Sequence, residues 1–343
     1  MKLTEFDYNL PKELIAQTPI TPRDHSRLLK LNKNNWNISE NKFYSILDEF
    51  NENDVIVLNK TKVINARLHW KINIWKENEK QVEIFLHKQI NNNTWDCLVY
   101  PWKKLKIWKI VKFDFGLTAI IKDISDKWRI VEFNIWWIEF LSIIENLWEI
   151  PLPPYIKEKL KNSNRYQTVF NEISGSVAAP TAWLHFTPEL IKKLQEKWVK
   201  IEKVLLHVWL WTFSWVETEN ILDHKMHSEY IELEKEVAKR LNQYKSQNKN
   251  IIAVWTTSIR VLESFANKNW ILEHWNKETD IFIYPGYNWK FVDWIITNFH
   301  LPKSTLLMLV SSFAWKENID NAYKYAVNNK FRFFSFGDAM LIK

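Results

Sequence analysis

Between about residues 65 and 150 the apolar positions alternate with a period of two, which predicts short β-strands separated by turns. Six short strands at such spacing are typical of a small barrel or sandwich. The predicted strands are Arg67 to Ile74, Gln81 to Lys88, Trp95 to Tyr100, Lys109 to Phe115, Leu117 to Asp123 and Arg129 to Ile135. The prolines in Ile150-Pro151-Leu152-Pro153-Pro154-Tyr155 fix φ and deny sheet pairing, so we expect a stiff connector that closes this region.

Helix and strand patterns alternate after the connector. Thr187-Pro188 supplies an N-cap and a first-turn proline for one helix. Apolar residues at spacings of three and four predict an amphipathic helix through Tyr230, Leu233, Val237, Leu241 and Tyr244. Further helices are expected from near Ser258 and from Ser304, and the predicted strands are Val199 to Val208, Ile251 to Val254, Ile281 to Tyr284 and Ile295-Ile296.

This alternation predicts an α/β fold with a mostly parallel sheet and helices on both faces. The apolar run Val55 to Leu58 assigns the N-terminal residues to the same sheet. We therefore expect a discontinuous α/β catalytic domain, residues 1–62 and 151–343, with a small β-barrel domain inserted at residues 63–150.

Twenty-one tryptophans and four glycines change how the turns must be interpreted. Tryptophan stands in turn-type pairs such as Asn35-Trp36, Asn269-Trp270 and Pro101-Trp102, where glycine would reach positive φ without steric cost. We infer that about twenty of them are UGA codons read as glycine in the source organism, which restores glycine to roughly 7%. Trp95, at the head of a predicted strand, is the expected exception. A truly tryptophan-rich protein is the alternative, and UGG codons at these positions would establish it.

The composition places bounds on location and partners. The single cysteine, Cys97, excludes an intramolecular disulfide framework and a Cys-based zinc site. The start of the chain lacks the apolar stretch of a signal peptide, and no run of about eighteen apolar residues occurs, so we expect a cytoplasmic protein without membrane contact. We also expect a monomer, although these observations do not bear on the oligomeric state. The net charge of +7 allows a polyanionic partner, but the lysine bias of an AT-rich genome explains it equally well.

Polar residues follow the predicted strands, where ligands bind in open α/β sheets. His207 lies at the end of one strand, Thr256-Thr257-Ser258 follows another, Tyr284 ends a third, and Asn298-Phe299-His300 follows a fourth. Ordinary N-capping is the alternative for the hydroxyl cluster, whereas four polar loops on one edge favour a ligand cleft. His224 and His227 lack a third ligand at fixed spacing, so a structural or substrate-contacting role is favoured over a metal site.

Several of these loops belong to a recognisable set of motifs. With glycine in place of tryptophan, the set comprises eight segments: Phe6 to Pro11, Ile150 to Tyr155, Gly175 to Thr187, His207 to Phe213, Asp223 to Glu229, Tyr284 to Tyr287, Thr297 to Ser304 and Phe331 to Met340. Together they resemble the S-adenosylmethionine:tRNA ribosyltransferase-isomerase family of queuosine biosynthesis. The motifs occur in the right order along the whole chain. Trp183, Trp209, Trp211, Trp255, Trp294 and Trp315 stand where that family has glycine.

The resemblance implies an enzyme that moves and isomerises the ribosyl group of S-adenosylmethionine onto a 7-aminomethyl-7-deazaguanine base at the wobble position of tRNA. Its products would be epoxyqueuosine-tRNA, adenine and methionine. S-adenosylmethionine would be consumed as a substrate, with no permanently bound cofactor and no metal.

The chemistry needs proton transfer at the sulfonium-activated carbon, at the leaving adenine and at the attacking amine, which suits histidine. Our catalytic candidates are His300 and His185, followed by His207 and Asp293. The substrate-binding candidates are Arg260 and Lys303 for the methionine carboxylate, hydrogen-bond donors Thr256, Thr257, Ser258 and Asn298, and stacking rings Tyr284 and Phe299. For tRNA the candidates are Arg23, Arg27, Arg332, Lys103 and Lys104, although a solvated lysine face is the alternative for the last two.

Two other functional classes remain open at this stage. One is a non-catalytic RNA-binding module with a decayed site, and the other is an S-adenosylmethionine-dependent RNA methyltransferase. The product distinguishes the three, because only the transferase releases adenine and methionine and only the methyltransferase releases S-adenosylhomocysteine.

Overall fold

The computed structural model describes residues 1–64, 66–72, 80–125, 128–147, 155–158, 163–167, 172–178, 181–208, 216 and 218–343. The chain divides into two compact units. Unit 1 contains Met1–Lys62, Pro154–Ile173 and Ala179–Lys343, and unit 2 contains Val63–Pro153 and Ser174–Ala178. The proline-rich connector expected at residues 150–155 lies outside the described residues, except for Tyr155.

The described strands and helices are as follows. The strands are β1 (Arg27–Leu31), β2 (Ile38–Lys42), β3 (Asp54–Asn59), β4 (Thr61–Val63), β5 (Arg67–Ile72), β6 (Lys80–Gln89), β7 (Thr94–Tyr100), β8 (Ile110–Lys112), β9 (Thr118–Ser125), β10 (Trp128–Phe133), β11 (Ile173–Ser176), β12 (Lys200–Leu206), β13 (Glu229–Glu232), β14 (Asn250–Val254), β15 (Asn276–Thr279), β16 (Trp294–Asn298) and β17 (Ala339–Ile342). The α-helices are α1 (Trp137–Leu147), α2 (Pro188–Glu196), α3 (Lys235–Ser246), α4 (Trp255–Phe265), α5 (Thr305–Ala314) and α6 (Lys316–Asn328). Short 3-10 helices include Arg23–His25 and Thr181–His185.

Unit 1 is built on a nine-stranded mixed sheet. Its strand order is β15-β13-β12-β3-β14-β16-β17-β1-β2. The four neighbours β12, β3, β14 and β16 run parallel, and β17 is antiparallel to β16 but parallel to β1. The α/β class is therefore confirmed, but the parallel arrangement holds only for the centre of the sheet and for the β17–β1 pair.

Burial explains why the central strands could be recognised from sequence. Every residue of β3 is buried, as expected for a strand covered on both faces. The hydroxyl of Thr187 accepts a hydrogen bond from the backbone N–H of Leu190, and Pro188 is the first residue of α2, so the predicted cap is confirmed. Ser304 caps α5 in the same way.

Two predicted elements are wrong in unit 1. Tyr230 lies in strand β13, and the helix predicted through it starts only at Lys235. The buried residues of β13 are Glu229 and Ile231, and a buried glutamate hides the period-two pattern. No strand forms at residues 281–284, of which only Ile283 is buried, and the polar segment Asn276–Thr279 pairs with β13 instead.

Unit 2 contains a six-stranded antiparallel sheet with the order β5-β6-β7-β10-β9-β8. All six strands predicted in this region are present, with boundaries shifted by a few residues. Among the described residues no pairing joins the outer strands β5 and β8, so the sheet is an open one as far as it is described. Trp95 is 1% exposed in β7, and its ring centroid lies 6.3 Å from that of Phe140.

Six tryptophans adopt the left-handed backbone conformation. Among the described residues, eleven non-glycine residues have φ between 55° and 72°, and six of them are Trp36, Trp108, Trp198, Trp255, Trp270 and Trp315. Such φ values cost an L-residue about 1–2 kcal/mol and cost glycine almost nothing. The backbone at these positions has the conformation that glycine prefers, which supports the inferred replacement.

Candidate functional site

One edge of the nine-stranded sheet collects most of the candidate residues of unit 1. It contains the carboxyl ends of β3, β12, β14 and β16. Because β17 runs antiparallel to β16, the amino ends of β17 and β1 lie at the same edge, with Asn298 opposite Ala339 and Ala339 opposite Leu28. We call this edge the polar rim, and residues before β1 and β17 therefore join residues that follow the parallel strands.

His185 lies in a buried hydrogen-bond network on the polar rim. Its Nε2 is 3.0 Å from the amide nitrogen of Asn298, and its Nδ1 is 2.7 Å from the hydroxyl of Ser26. The Oδ1 of Asn298 accepts from Thr181, which fixes the amide so that its nitrogen donates to His185. His185 therefore carries its proton on Nδ1 and donates it to Ser26.

The protonation state of His185 follows from its surroundings. Burial, together with the positive charges of Arg332 and Arg23, lowers the pKa of His185 to about 3. The imidazole is neutral near pH 7, with both nitrogens engaged. This arrangement suits a positioning role better than proton transfer.

His300 is held as tightly as His185. Its Nε2 lies 2.9 Å from the hydroxyl of Thr297, its backbone N–H donates to the hydroxyl of Tyr323, and its carbonyl accepts from Tyr8. Burial lowers the pKa of His300 to about 3. Its carbonyl and amide thus tie the loop after β16 to the N-terminal segment and to α6.

His207 is the more accessible of the three rim histidines. It follows β12, its Nδ1 is 2.9 Å from the hydroxyl of Thr61, and its ring stacks on Tyr230. The side chain is only half-buried, and burial lowers its pKa to about 4. His207 is therefore neutral near pH 7. Trp209 and Trp211, which follow it in the sequence, lie outside the described residues.

The first turn of α4 carries three buried hydroxyl residues. Thr256, Thr257 and Ser258 are buried inside the helix, and the N-cap position is Val254, so the N-capping interpretation is wrong. The hydroxyls of Thr257 and Ser258 have no hydrogen-bond partner among the described residues. Buried hydroxyls are normally paired, so their position beside free helix N–H groups is typical of a ligand site.

Arg260 has a different partner from the one expected. It forms a buried ion pair with Glu229 and donates to the carbonyl of Thr279 at 3.5 Å. Burial lowers the pKa of Arg260 to about 10, which still leaves it charged at neutral pH. Its charge is already compensated, so Arg260 fixes α4 against β13 and β15 instead of serving as the main clamp for a substrate carboxylate.

Asp293 is wrong as a catalytic candidate because it lies at the opposite edge of the sheet. It precedes β16, whereas His300 follows that strand, and five strand residues span roughly 17 Å. Both of its carboxylate oxygens lie 2.7 Å from the amine of Lys245, and Oδ2 also accepts from the backbone N–H of Ile251. Asp293 holds α3 against the amino end of β14.

Tyr284 and Phe299, which were expected to stack on purine rings, lie against other aromatic side chains of the protein. Phe299 is 0% exposed and packs against Tyr323, Phe331 and Phe333, so a purine could not reach its ring without opening the core. Tyr284 does not end a strand, since none forms there, and its half-buried ring lies 5.0 Å from Phe282. Phe299 is therefore wrong as a stacking residue, whereas the ring of Tyr284 is partly accessible to a ligand.

The basic candidates fall into two groups. Lys303 has a positive φ of 59° and pairs with Asp7 at 2.8 Å, while Arg27 pairs with Glu40 and covers the ring of Phe331. Arg23 and Arg332 lie close enough to His185 to affect its pKa. In unit 2, the amine of Lys103 lies 5.5 Å from the ring of Trp102, and Lys104 is half-buried.

Sequence reasoning missed the residues that complete the polar rim. Asn59 bridges β3 to β12 through the backbone of Leu206, and Lys60 pairs with Glu234. Asp338, fully buried, accepts from the backbone N–H groups of Arg27 and Arg332. Asn59 and Lys60 follow the apolar run of β3, and this position after a predicted strand could have identified them as rim residues. Asp338 and Ser26 precede strands, so no sequence pattern pointed to them.

The described residues contain no group of three histidines, cysteines or carboxylates arranged to hold a metal ion. Within the same residues, none of the helices combines the length and the apolar character needed to cross a membrane.

Comparisons with known proteins agree along the whole chain. Residues 3–342 match the family model described as queuosine biosynthesis protein. The chain is 49% identical over its full length to the S-adenosylmethionine:tRNA ribosyltransferase-isomerase of Carboxydothermus hydrogenoformans, and 50% identical to the protein of that name from Halothermothrix orenii, each covered completely. It also resembles the crystal structure of S-adenosylmethionine tRNA ribosyltransferase from Thermotoga maritima, with 36% identity, a TM-score of 0.57, and coverage of 99% of this chain and 100% of the other.

Proposed function

This chain belongs to the queuosine biosynthesis protein family, and we propose that it is an S-adenosylmethionine:tRNA ribosyltransferase-isomerase. The observation that carries the proposal is identity of about half of all positions, over the full length, to two relatives with that name.

The proposed reaction uses S-adenosylmethionine as a consumed ribosyl donor. The acceptor is tRNA carrying 7-aminomethyl-7-deazaguanine at the wobble position, and the products are epoxyqueuosine-tRNA, adenine and methionine. The enzyme works as a cytoplasmic monomer without a permanently bound cofactor or a metal. Its catalytic domain comprises residues 1–62 and 151–343, with residues 63–150 inserted as a small β-barrel.

Among the candidates for proton transfer, the geometry favours His207. Its neutral imidazole is half-buried on the polar rim and one nitrogen is oriented by Thr61, an arrangement that leaves the ring able to accept a proton. His185 and His300 shape the rim around it, because their rings are buried and hydrogen-bonded to neighbouring side chains.

The carboxylate of S-adenosylmethionine fits the first turn of α4. Helix N-termini favour anions, and the unpartnered hydroxyls of Thr257 and Ser258 add two donors at that place. If position 255 is glycine, removal of the buried indole of Trp255 opens space next to these hydroxyls. Thr256 and Asn298 complete the proposed substrate-binding set.

Product analysis tests the proposal. Protein with glycine at the twenty inferred positions and tryptophan at 95 is incubated with S-adenosylmethionine and the substrate tRNA. We expect adenine and methionine in equal amounts, together with a tRNA whose wobble base has gained the isomerised ribosyl group. Release of S-adenosylhomocysteine would identify a methyltransferase, and tRNA binding without any product would identify a binding module.

A further inference from the structure

A small recess in unit 1 lies where the chain enters β1, next to the His185 network. It is lined by Arg23, Ser26, Arg165, His185, Ser335 and Gly337, which we call the arginine recess. Its volume of about 10 Å³ accepts one group the size of a water molecule or of a single oxygen atom. The recess opens to the surface, so a larger ligand could insert one atom and leave the rest outside.

Two guanidinium groups, those of Arg23 and Arg165, line this recess, and a third arginine lies near His185. Burial lowers the pKa of Arg23, and the positive charge of Arg165 lowers it further, which places these two cations close together. Arg332 lies near enough to His185 to lower the pKa of that imidazole. Like charges held together in a partly buried place repel each other, and a bound anion would relieve that repulsion.

Backbone carbonyl oxygens orient all three arginines. Arg23 donates to the carbonyl of Gln167 at 3.0 Å, Arg165 donates to the carbonyl of Ile20, and Arg332 donates to the carbonyl of Thr18. Within the described part of the chain, no carboxylate forms an ion pair with Arg165, whereas the negative charge of the buried Asp338 acts on Arg332. The buried Nε of Arg165 has no hydrogen-bond partner there.

The backbone around the recess is built for close approach. A Cβ at Gly337 would lie 2.5 Å from the carbonyl oxygen of Arg332, so only glycine fits where the loop from Arg332 folds back. This loop brings Ser335 to the recess, where its hydroxyl contacts that of Tyr155. The hydroxyl oxygen of Ser26 accepts a hydrogen bond from His185, so the hydroxyl proton of Ser26 remains available as a donor.

We propose that the arginine recess binds one phosphate group of the RNA backbone. Guanidinium groups pair with phosphate oxygens through two parallel hydrogen bonds, and one such oxygen fits the recess while the remainder of the phosphodiester stays outside. The inference rests on the proposed function only for the identity of the RNA, and Arg165 is a contact that sequence reasoning did not identify.

Equilibrium binding of an unmodified tRNA transcript tests the proposal without turnover. Arg165→Gln should weaken binding several-fold at low salt and reduce the slope of log K against log salt concentration by about 0.7 to 0.9, the value of one phosphate contact. The KM for S-adenosylmethionine should not change. Lys192→Gln removes one positive charge from an exposed position on α2 and should leave both binding and slope as in the wild type.

A second measurement uses the wild-type protein and does not depend on how the variant folds. Anticodon stem-loop RNAs, each with one uncharged methylphosphonate linkage, are compared for affinity. At one linkage or more, the methylphosphonate should weaken binding to the wild-type protein but hardly weaken binding to Arg165→Gln. The variant has already lost the contact that the uncharged linkage removes. A scan in which no linkage matters, or unchanged tRNA binding by Arg165→Gln, would overturn the phosphate site.

The outcomes separate this inference from the proposed function. A raised KM for S-adenosylmethionine with unchanged tRNA binding would mean that the recess takes a carboxylate, and the RNA proposal would be wrong. Absence of adenine and methionine from the wild-type reaction would instead overturn the proposed function, whatever the binding measurements show.

Discussion

A tryptophan with positive φ carries a backbone cost that glycine avoids, and Trp315 shows the case most simply. It has φ of 65°, links α5 to α6, and its side chain is 74% exposed, so the indole contributes little burial. We expect Trp315→Gly to raise the stability by about 1 kcal/mol, or about 2 °C in Tm, since strain is relieved and only chain entropy is lost. Thermal unfolding measures the change.

Two variants control this prediction. Trp315→Ala keeps a Cβ and should give no comparable gain. Trp95→Gly removes a buried indole from β7 and should cost about 3–5 kcal/mol. A gain at Trp95 or a loss at Trp315 would contradict the assignment of glycine to the left-handed positions and tryptophan to position 95.

The three rim histidines are expected to divide into one that moves protons and two that hold structure. His207→Gln should lower kcat about 100-fold with a small change in Tm, because general acid–base groups contribute 10²- to 10⁴-fold. His185→Gln should lower Tm more clearly, since its ring bridges Ser26 and Asn298 in the core. Steady-state kinetics and thermal unfolding of both variants test these roles. Wild-type turnover by His207→Gln would show that His207 does not transfer protons in the reaction.

At the scale of elements, α4 combines two functions at its two faces. Arg260 anchors the helix through Glu229, while the hydroxyls of Thr257 and Ser258 in its first turn have no hydrogen-bond partner among the described residues. A helix held from one side can present its N-terminus in a fixed position.

Thr257→Val and Ser258→Ala should raise the KM for S-adenosylmethionine about tenfold and leave Tm unchanged or slightly raised. The lost hydroxyls bind ligand and make no hydrogen bond to the described protein, so the folded chain loses nothing by their removal. Thr187→Val is the matched control. It removes the N-cap of α2 and should cost about 1 kcal/mol of stability without changing that KM. A fall in Tm at Ser258 with an unchanged KM would show that the hydroxyl is structural.

At the scale of the whole molecule, the buried histidines make stability depend on pH. The folded pKa of His185 and of His300 is about 3, whereas the unfolded value is near 6.5, so the unfolded chain binds these protons first. Stability is therefore complete above pH 6.5 and falls as the pH drops from 6.5 towards 3, by about 1.4 kcal/mol per pH unit for each histidine. Asp338 acts in the opposite direction, because burial raises its pKa.

Denaturant unfolding between pH 5 and 7 measures this dependence. His300→Gln should flatten the slope by about one proton, while His274→Gln, at an exposed position, should leave it unchanged. Equal slopes for wild type and His300→Gln would contradict the burial of a neutral imidazole.

The sequence predicted an element correctly where the local pattern of apolar and polar residues was enough to determine its burial. The fully apolar run of β3, the cap at Thr187 and the alternating strands of unit 2 were all predicted. It was wrong where a tertiary partner changed the meaning of the pattern. Arg260 makes Glu229 a buried strand residue, and the apolar segment at residues 281–284 remains irregular because the polar β15 takes the place beside β13.

The polar rim could be predicted only in part for a geometric reason. Residues that follow parallel strands were found, because strand ends in a parallel sheet share one edge. Ser26 and Asp338 precede strands, and they reach the same edge only because β17 reverses direction next to β16. No local pattern encodes that reversal. Asp293 was misplaced by the same limitation, since proximity in sequence to His300 concealed a whole strand between them.

The pairing of β1 with β17 also has a consequence for the synthesis of the chain. Leu28 lies opposite Ala339, so β1 leaves the ribosome some 300 residues before its parallel neighbour exists. At about 5 to 20 residues per second, the hairpin of β1 and β2 waits roughly 15 to 60 s with one edge open. That edge is a place where newly made chains can pair with one another, so yield during expression should depend strongly on temperature and on chaperones.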